Sequence, residues 1–266
     1  VDDLDALFDQ VDAVYVASPI AAHHDQAIRA IEAGRHVLVE KTMGASADEV
    51  HAILASARGN DVVAMEAMRA VHTPVHRLIR EALPRLGTLR HARIDKLQYS
   101  SRYDAFRRGE VANAFDPGLG NSAIADIGVY CLQPALDWFG RPRAVTGGSV
   151  WLANGFEAGG SMTLAQDGFV AGLSWSKIAQ GVAPCAIHGE DGALSFDDPA
   201  DLTYVRWHPR NGEIETLWEQ APASPAASMH HEVNAFADQV EAGALDEHWA
   251  QVSVLSRTLM DAHLAR

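Results

Sequence analysis

The sequence predicts two α/β units in series: a parallel sheet with crossover helices, then an α+β unit with a large, mostly antiparallel sheet. Three observations carry this. Residues 11–65 run strand, helix, strand, helix, strand, the order that right-handed parallel crossovers produce. Residues 144–207 instead hold successive strand-length segments parted by turn signals such as Gln166-Asp167-Gly168 and Gly189-Glu190-Asp191-Gly192. The 266 residues are 48% hydrophobic and 21% charged, ordinary globular composition, enough for one large domain or two smaller ones.

Residues 11–17 form a short β-branched apolar run that reads as a fully buried strand, stopped by Ser18-Pro19. Residues 21–33 read as a helix, with Ala27, Ile28 and Ile31 at helical spacing and Gly34 as its stop. A second buried strand, 36–39, runs directly into Glu40-Lys41-Thr42. Ser46 and Glu49 form a capping box for a helix reaching about Arg58, and 62–65 is a third strand.

The pattern changes near Met68 to Val71. Thr73-Pro74 supplies an N-cap and an N1 proline for a helix to about Leu83. Residues 88–100 read as a long strand, 101–120 as an irregular polar loop, and 121–139 as a helix with Ile124, Ile127, Cys131, Ala135 and Phe139 on one face. Strand candidates follow at 144–153, 160–166, 169–177, 183–189, 192–196 and 202–207, and helices at 230–241 and 248–264 close the chain.

Charge and motif content narrow the function. Lys and Arg number 21 against 35 Asp and Glu, a net −14, which disfavours nucleic acid and anionic membrane surfaces as partners. No apolar run approaches the roughly 18 residues of a membrane span. Cys131 and Cys185 read as buried thiols of a reducing compartment, with a disulfide as the alternative, so the cytoplasm is the expected location. His23-His24 and His230-His231-Glu232 make metal binding only a weak rival, because adjacent helical histidines diverge by about 100° and do not readily face one ion. No Cys-x-x-Cys or His-Glu-x-x-His spacing occurs, and no metal is expected.

Three local motifs point further. Ser18-Pro19-Ile20-Ala21-Ala22-His23 follows the first strand. Gly34 to Val39 leads into Glu40-Lys41-Thr42. Asn121 to Tyr130 sets small residues before Asp126-Ile127-Gly128-Val129-Tyr130. In this order and at these separations they resemble the glucose–fructose oxidoreductase / inositol dehydrogenase (Gfo/Idh/MocA) family, from Val1 to the last helix. Ile20 stands where that family usually has Asn, and Thr42 where it has Pro. The resemblance implies a Rossmann-type dinucleotide-binding domain over 1–69 and a substrate and oligomerisation domain over 70–266. It also implies an NAD(P)-dependent oxidoreductase acting on a CH–OH group of a sugar or cyclic polyol, inositol-like or aldose-like. A non-catalytic, cofactor-binding sensor of the same family is the alternative.

The family opens on a strand–GxGxxG–helix–strand unit that cradles the pyrophosphate, and this chain contains no such motif. The chain begins Val1-Asp2-Asp3 without a methionine, which reads as a cut end. The expectation is a native enzyme lacking roughly 50–70 leading residues, one βαβ half-unit; the alternative is a short paralogue that has lost cofactor binding.

Oxidising a carbinol needs a hydride acceptor, a base for the hydroxyl proton and a group to stabilise the developing alkoxide. Asp126 and Tyr130, spaced i and i+4, share one helix face. Lys41 follows a buried strand at the carboxyl edge of the sheet, where doubly wound folds place ligands. Tyr130 is the candidate proton shuttle, with Lys41 as electrostatic partner and Asp126 anchoring a substrate hydroxyl and orienting Lys41. The rival assignment makes Lys41 the base. Outside the family context, a solvated lysine and a helix-capping aspartate are the plain alternatives.

His23 and Glu40, with Lys41, are the candidate contacts to NAD or NADP, and Ala17, Ser18 and Pro19 offer backbone. The plain alternative for His23 is a surface histidine at a helix start. Arg69 and His72, at the junction, and Arg102, Tyr103 and Asn113, in the polar loop, are candidate substrate contacts. Pro134 removes the hydrogen bond that the Tyr130 carbonyl would accept. A helix kinked or loosened beside Tyr130 is expected, or one that restarts at Pro134. An antiparallel sheet with one face free of helices predicts a homodimer or homotetramer through that face.

Overall fold

The computed structural model describes residues 4–265. The Val1-Asp2-Asp3 start, read above as a cut end, lies outside them. Helix α1 (Leu4–Phe8) leads into a three-stranded parallel sheet of β1 (Ala13–Val16), β2 (His36–Glu40) and β3 (Ala64–Ala67), in the order β1-β2-β3. The crossovers are α2 (His23–Glu32), entered through a 3-10 turn at Ile20–Ala22, and α3 (Ala47–Gly59). Ser46 caps α3 as expected, its hydroxyl accepting from Glu49 N at 3.2 Å. Gly34 ends α2 region at φ 73°, a left-handed value that costs glycine little.

The expectation of a fully buried first strand needs correction. Ala13 is exposed and Tyr15 is 44% exposed. β1 pairs only with β2, and neither residue joins the cores that α2, α3 and the C-terminal helices build on the sheet. Its apolar composition is that of a buried strand, but no described helix covers that face.

Thr73 caps α4 (Pro74–Ala82), accepting from His76 N at 3.3 Å. After β4 (Leu89–Leu97), the segment expected to be irregular is ordered around aromatic packing. It forms α5 (Tyr103–Arg107) and 3-10 turns at Asn113–Phe115 and Pro117–Leu119, with Phe115 fully buried on Phe156 beside Tyr103 and Phe106. A π turn at Ile124–Gly128 then runs into α6 (Val129–Phe139). α6 passes unbroken through Pro134, so the helix does not restart there; the widened turn lies upstream of Tyr130.

The remaining strands are β5 (Ala144–Trp151), β6 (Glu157–Gln166), β7 (Phe169–Ser176), β8 (Cys185–Gly189), β9 (Gly192–Phe196), β10 (Tyr204–Pro209) and β11 (Glu215–Glu219). With β4 they form one sheet ordered β11-β10-β9-β8-β4-β7-β6-β5, antiparallel except between β4 and β7. β11 was not expected, because Glu-Thr-Leu-Trp-Glu carries little apolar signal. The inward face, including Ile94, Leu173, Trp175, Ile187 and Phe196, packs on α6 in the main core. Gly128 makes that approach possible: a Cβ there would lie 2.9 Å from the Trp175 ring.

Helices α7 (Met229–Ala242) and α8 (Glu247–Leu264) fold back onto the first sheet. Phe236 packs on Leu38, Val63 and Met65, and Ala250 joins the core beneath α3. Cys131 and Cys185 are both buried free thiols, as expected.

Candidate active site

The first candidate side chain follows from strand geometry. β2 ends at Glu40, and the next residue, Lys41, leaves the carboxyl edge of the parallel sheet toward a cleft of about 1140 Å³. The Lys41–Thr42 peptide is cis. Buried Glu66 on β3 holds the loop that carries Lys41. Its Oε1 accepts from Met43 N at 2.9 Å, and its Oε2 accepts from Gln133 Nε2 at 2.7 Å. Since Gln133 lies on α6, one buried carboxylate ties the Lys41 loop to the helix that bears Tyr130.

Across the cleft, the π turn presents Asp126. Glu157, at the start of β6, receives the first amide of this turn, Ile124 N, at 2.8 Å, and Trp175 Nε1 at 2.8 Å. Burial raises the Glu157 pKa, and these donors act against that rise. The Asp126 carboxylate is gripped from two sides. Lys41 Nζ donates to Oδ1 at 2.8 Å and to the Asp126 carbonyl at 2.6 Å, while Lys177 Nζ lies 2.7 Å from Oδ2. Burial works to raise the Asp126 pKa, but the two ammonium groups outweigh it and hold the carboxyl well below its usual range. Burial also works to lower the Lys41 pKa, yet the Asp126 charge prevails and the net shift is upward. Lys41 is therefore an ammonium at neutral pH, poised to stabilise negative charge.

Tyr130 completes the wall, with Lys41 Nζ 5.4 Å and the Arg69 guanidinium 5.6 Å from its ring centroid. Arg69 is fixed in turn by a two-pronged bond to Asp201, at 2.7 and 2.9 Å, and by Ser228 Oγ at 2.9 Å. Lys41, Arg69, Asp126 and Tyr130 all line the cleft. Glu40 sits beside them, accepting from the Tyr15 hydroxyl and, at 3.1 Å, from Lys41 N. Partial burial and the Glu40 carboxylate hold the Tyr15 phenol above its ordinary range.

Other candidates lie elsewhere. His23 is buried, and its Nδ1 and Nε2 lie 3.0 and 2.8 Å from the carbonyl oxygens of Thr42 and Ser18. It clips together the loops after β1 and β2 and leaves no ring nitrogen for a ligand. Ala17 and Pro19 are exposed at the end of β1, and Ser18 is half-buried. His72 faces away from the cleft and packs edge-on against Trp249, where burial first and neighbouring His76 second push its pKa down to about 4. Arg102 is exposed outside the cleft. Tyr103 is drawn into the Phe106–Phe115 cluster, and Asn113 spends its carbonyl on Asn121 Nδ2 at 2.8 Å. The loop folds on its own aromatic residues, which turns these side chains from the cleft.

Lys177, which motif reading missed, ends the strand predicted over 169–177 and directly follows β7. Its side chain is 6% exposed, donates to Ala114 O at 2.8 Å and lies 4.9 Å from the Phe115 ring centroid. Among the described residues, no cluster of His, Cys, Asp or Glu is placed to hold a metal, and no helix is long and apolar enough to cross a membrane.

Residues 1–68 match the sequence model of an oxidoreductase family with an NAD-binding Rossmann fold. The match begins at the first residue and does not bear out the expectation of a missing Gly-rich half. The chain is 37% identical over 259 residues to the scyllo-inositol 2-dehydrogenase (NADP(+)) IolU of Bacillus subtilis, covering 97% of this chain and 77% of that protein. It is 28% identical to D-xylose 1-dehydrogenase (NADP(+)) 2 of Haloferax volcanii, over 96% of this chain and 77% of that protein. Among solved structures it resembles KijD10, a 3-ketoreductase from Actinomadura kijaniata in complex with NADP and TDP-benzene. The TM-score is 0.82 at 25% identity, covering 98% of this chain and 81% of that one.

Proposed function

The chain belongs to the Gfo/Idh/MocA oxidoreductase family, and from that premise we propose that it interconverts a ring hydroxyl and its ketone on a cyclic polyol or sugar, inositol-like before aldose-like. The observation that carries this reading is the Lys41–Asp126 pair beside Tyr130, set at the carboxyl edge of a parallel sheet. The enzyme is an NAD(P)-dependent oxidoreductase.

The residues present fit a nicotinamide cofactor. The open ends of β1 and β2 expose Ala17 and Pro19 beside Glu40, and the Thr42 hydroxyl is buried without a hydrogen-bond partner. Ala17, Ser18, Pro19, Glu40 and Lys41 would hold the nicotinamide end. When bound, the cofactor supplies the two-electron acceptor or donor. Tyr130 takes the substrate proton at its phenolic oxygen. Lys41, kept charged by Asp126, stabilises the alkoxide, and the outward part of the Asp126 carboxylate accepts from a neighbouring substrate hydroxyl. The upward shift at Lys41 favours this assignment over Lys41 as the base.

We place the boundary between the cofactor and substrate units between Arg69 and Ala70. The outward face of the large sheet, with Val170 39% exposed and Trp151 45% exposed, is the surface for a homodimer or homotetramer, testable by light scattering.

The test is initial rates, followed by nicotinamide absorbance, with NAD and NADP against inositols and aldoses. Turnover of at least one neutral polyol or sugar is expected. No turnover with either cofactor would overturn the enzymatic reading, and cofactor-dependent binding of another protein would then favour a sensor.

A further inference from the structure

The cleft's own charges speak to which substrates it admits. Three cations line it, and each already has a carboxylate partner that also lines it. Lys41 holds Asp126 at 2.8 Å, Arg69 grips Asp201 with both guanidinium nitrogens, and Lys96 is bonded to Asp198. Two cations just behind the lining are likewise engaged: Lys177 with Asp126 at 2.7 Å, and Arg93 with Asp95 at 3.2 Å. A fifth lining carboxylate, Asp197, accepts from Thr203 N at 2.9 Å and from the Thr203 hydroxyl, with no cation beside it in those contacts.

Four of the five lining carboxylates thus hold all five of these cations, Asp126 taking two, and Asp197 adds a further negative charge. A phosphate or carboxylate entering here would lose its water without gaining an unpaired counter-charge, and would have to break an existing pair. The chain's net charge of −14 adds to that barrier. A neutral polyol faces neither cost. Its hydroxyls can both donate to the carboxylate oxygens and accept from Gln98, Gln180 and Tyr204, all of which line the same cleft.

Resting on the oxidoreductase reading above, we propose that this cleft selects uncharged polyhydroxylated substrates and rejects sugar acids, sugar phosphates and nucleoside diphosphate sugars. Selection comes from the saturated ion pairs Arg69–Asp201 and Lys96–Asp198.

Two readouts test this on the same protein. Calorimetric binding of scyllo-inositol, an inositol monophosphate and glucuronate, without turnover, should show the neutral compound alone. Where turnover occurs, kcat/KM for neutral substrates should exceed that for anionic counterparts by about 100-fold, the scale of an unpaired buried charge. Asp198→Asn frees Lys96 and Asp201→Asn frees Arg69. Either should narrow that ratio by about tenfold, and having both guards against one variant that misfolds. Anions that bind as tightly as the polyol, binding of neither class, or ratios unmoved in both folded variants would overturn the proposal. Neutral-selective binding without turnover would sustain it while removing the oxidoreductase reading.

Discussion

Lys177 stands behind Asp126 as Lys41 stands in front, their ammonium nitrogens 2.7 and 2.8 Å from its two carboxylate oxygens. The two contacts have different consequences. Lys41 lines the cleft, whereas Lys177 is walled in by Phe115 and Phe156 and reaches the cleft only through Asp126.

We propose that Lys177 is a positioning residue. In Lys177→Met, Asp126 keeps one cation, and its pKa moves up toward the ordinary carboxylate range. Asp126 stays ionised only above its folded pKa, so the acid limb of the kcat/KM–pH profile should shift to higher pH. A variant that merely loosened the fold would lower activity without moving that limb. An unmoved limb would reduce Lys177 to a packing role.

Tyr130→Phe keeps the ring that Lys41 and Arg69 face and removes only the hydroxyl. Turnover should fall about tenfold or more with cofactor affinity intact, the pattern of a group that acts in the transition state. Unchanged turnover would remove Tyr130 from the mechanism.

Glu66 satisfies two buried donors at once, Met43 N and Gln133 Nε2. Glu66→Ala orphans both and should cost about 2–4 kcal/mol in urea denaturation. Glu66→Gln retains an acceptor for Met43 N and should cost less. Equal losses in the two variants would show that the carboxylate itself, with an acceptor for each donor, carries the stability rather than the Met43 bond alone.

Glu232, buried on α7 with Oε2 unpartnered, has its pKa raised to about 7, first by burial and then by the Glu40 charge. A carboxyl whose folded pKa exceeds its unfolded value contributes stability below the unfolded value, near 4.5, and loses it as pH rises through 7. Glu232→Gln should therefore stabilise the protein at pH 8 by about 2–3 kcal/mol and change little at pH 4. Equal effects at the two pH values would contradict the assignment.

Local chemistry in the sequence was enough for much of this protein. Alternating periodicities exposed the change from parallel to antiparallel architecture, and the Ser46 and Thr73 caps fixed where two helices begin. The run from β2 into Glu40-Lys41 and the i, i+4 spacing of Asp126 and Tyr130 located three side chains of the cleft wall. Periodicity and capping are properties of neighbours along the chain, so they survive in a one-dimensional reading. Tertiary structure alone decided the rest. It left the apolar β1 exposed on one face, turned His72 onto Trp249, and spent His23 on two loop carbonyls. It paired β4 with β7 in parallel, and it brought Lys177 against Asp126, 51 positions away in the numbering. Each depends on which distant segments share a core, and on which charges burial forces to find a partner. Side-chain spacing along a strand or helix carries no record of either.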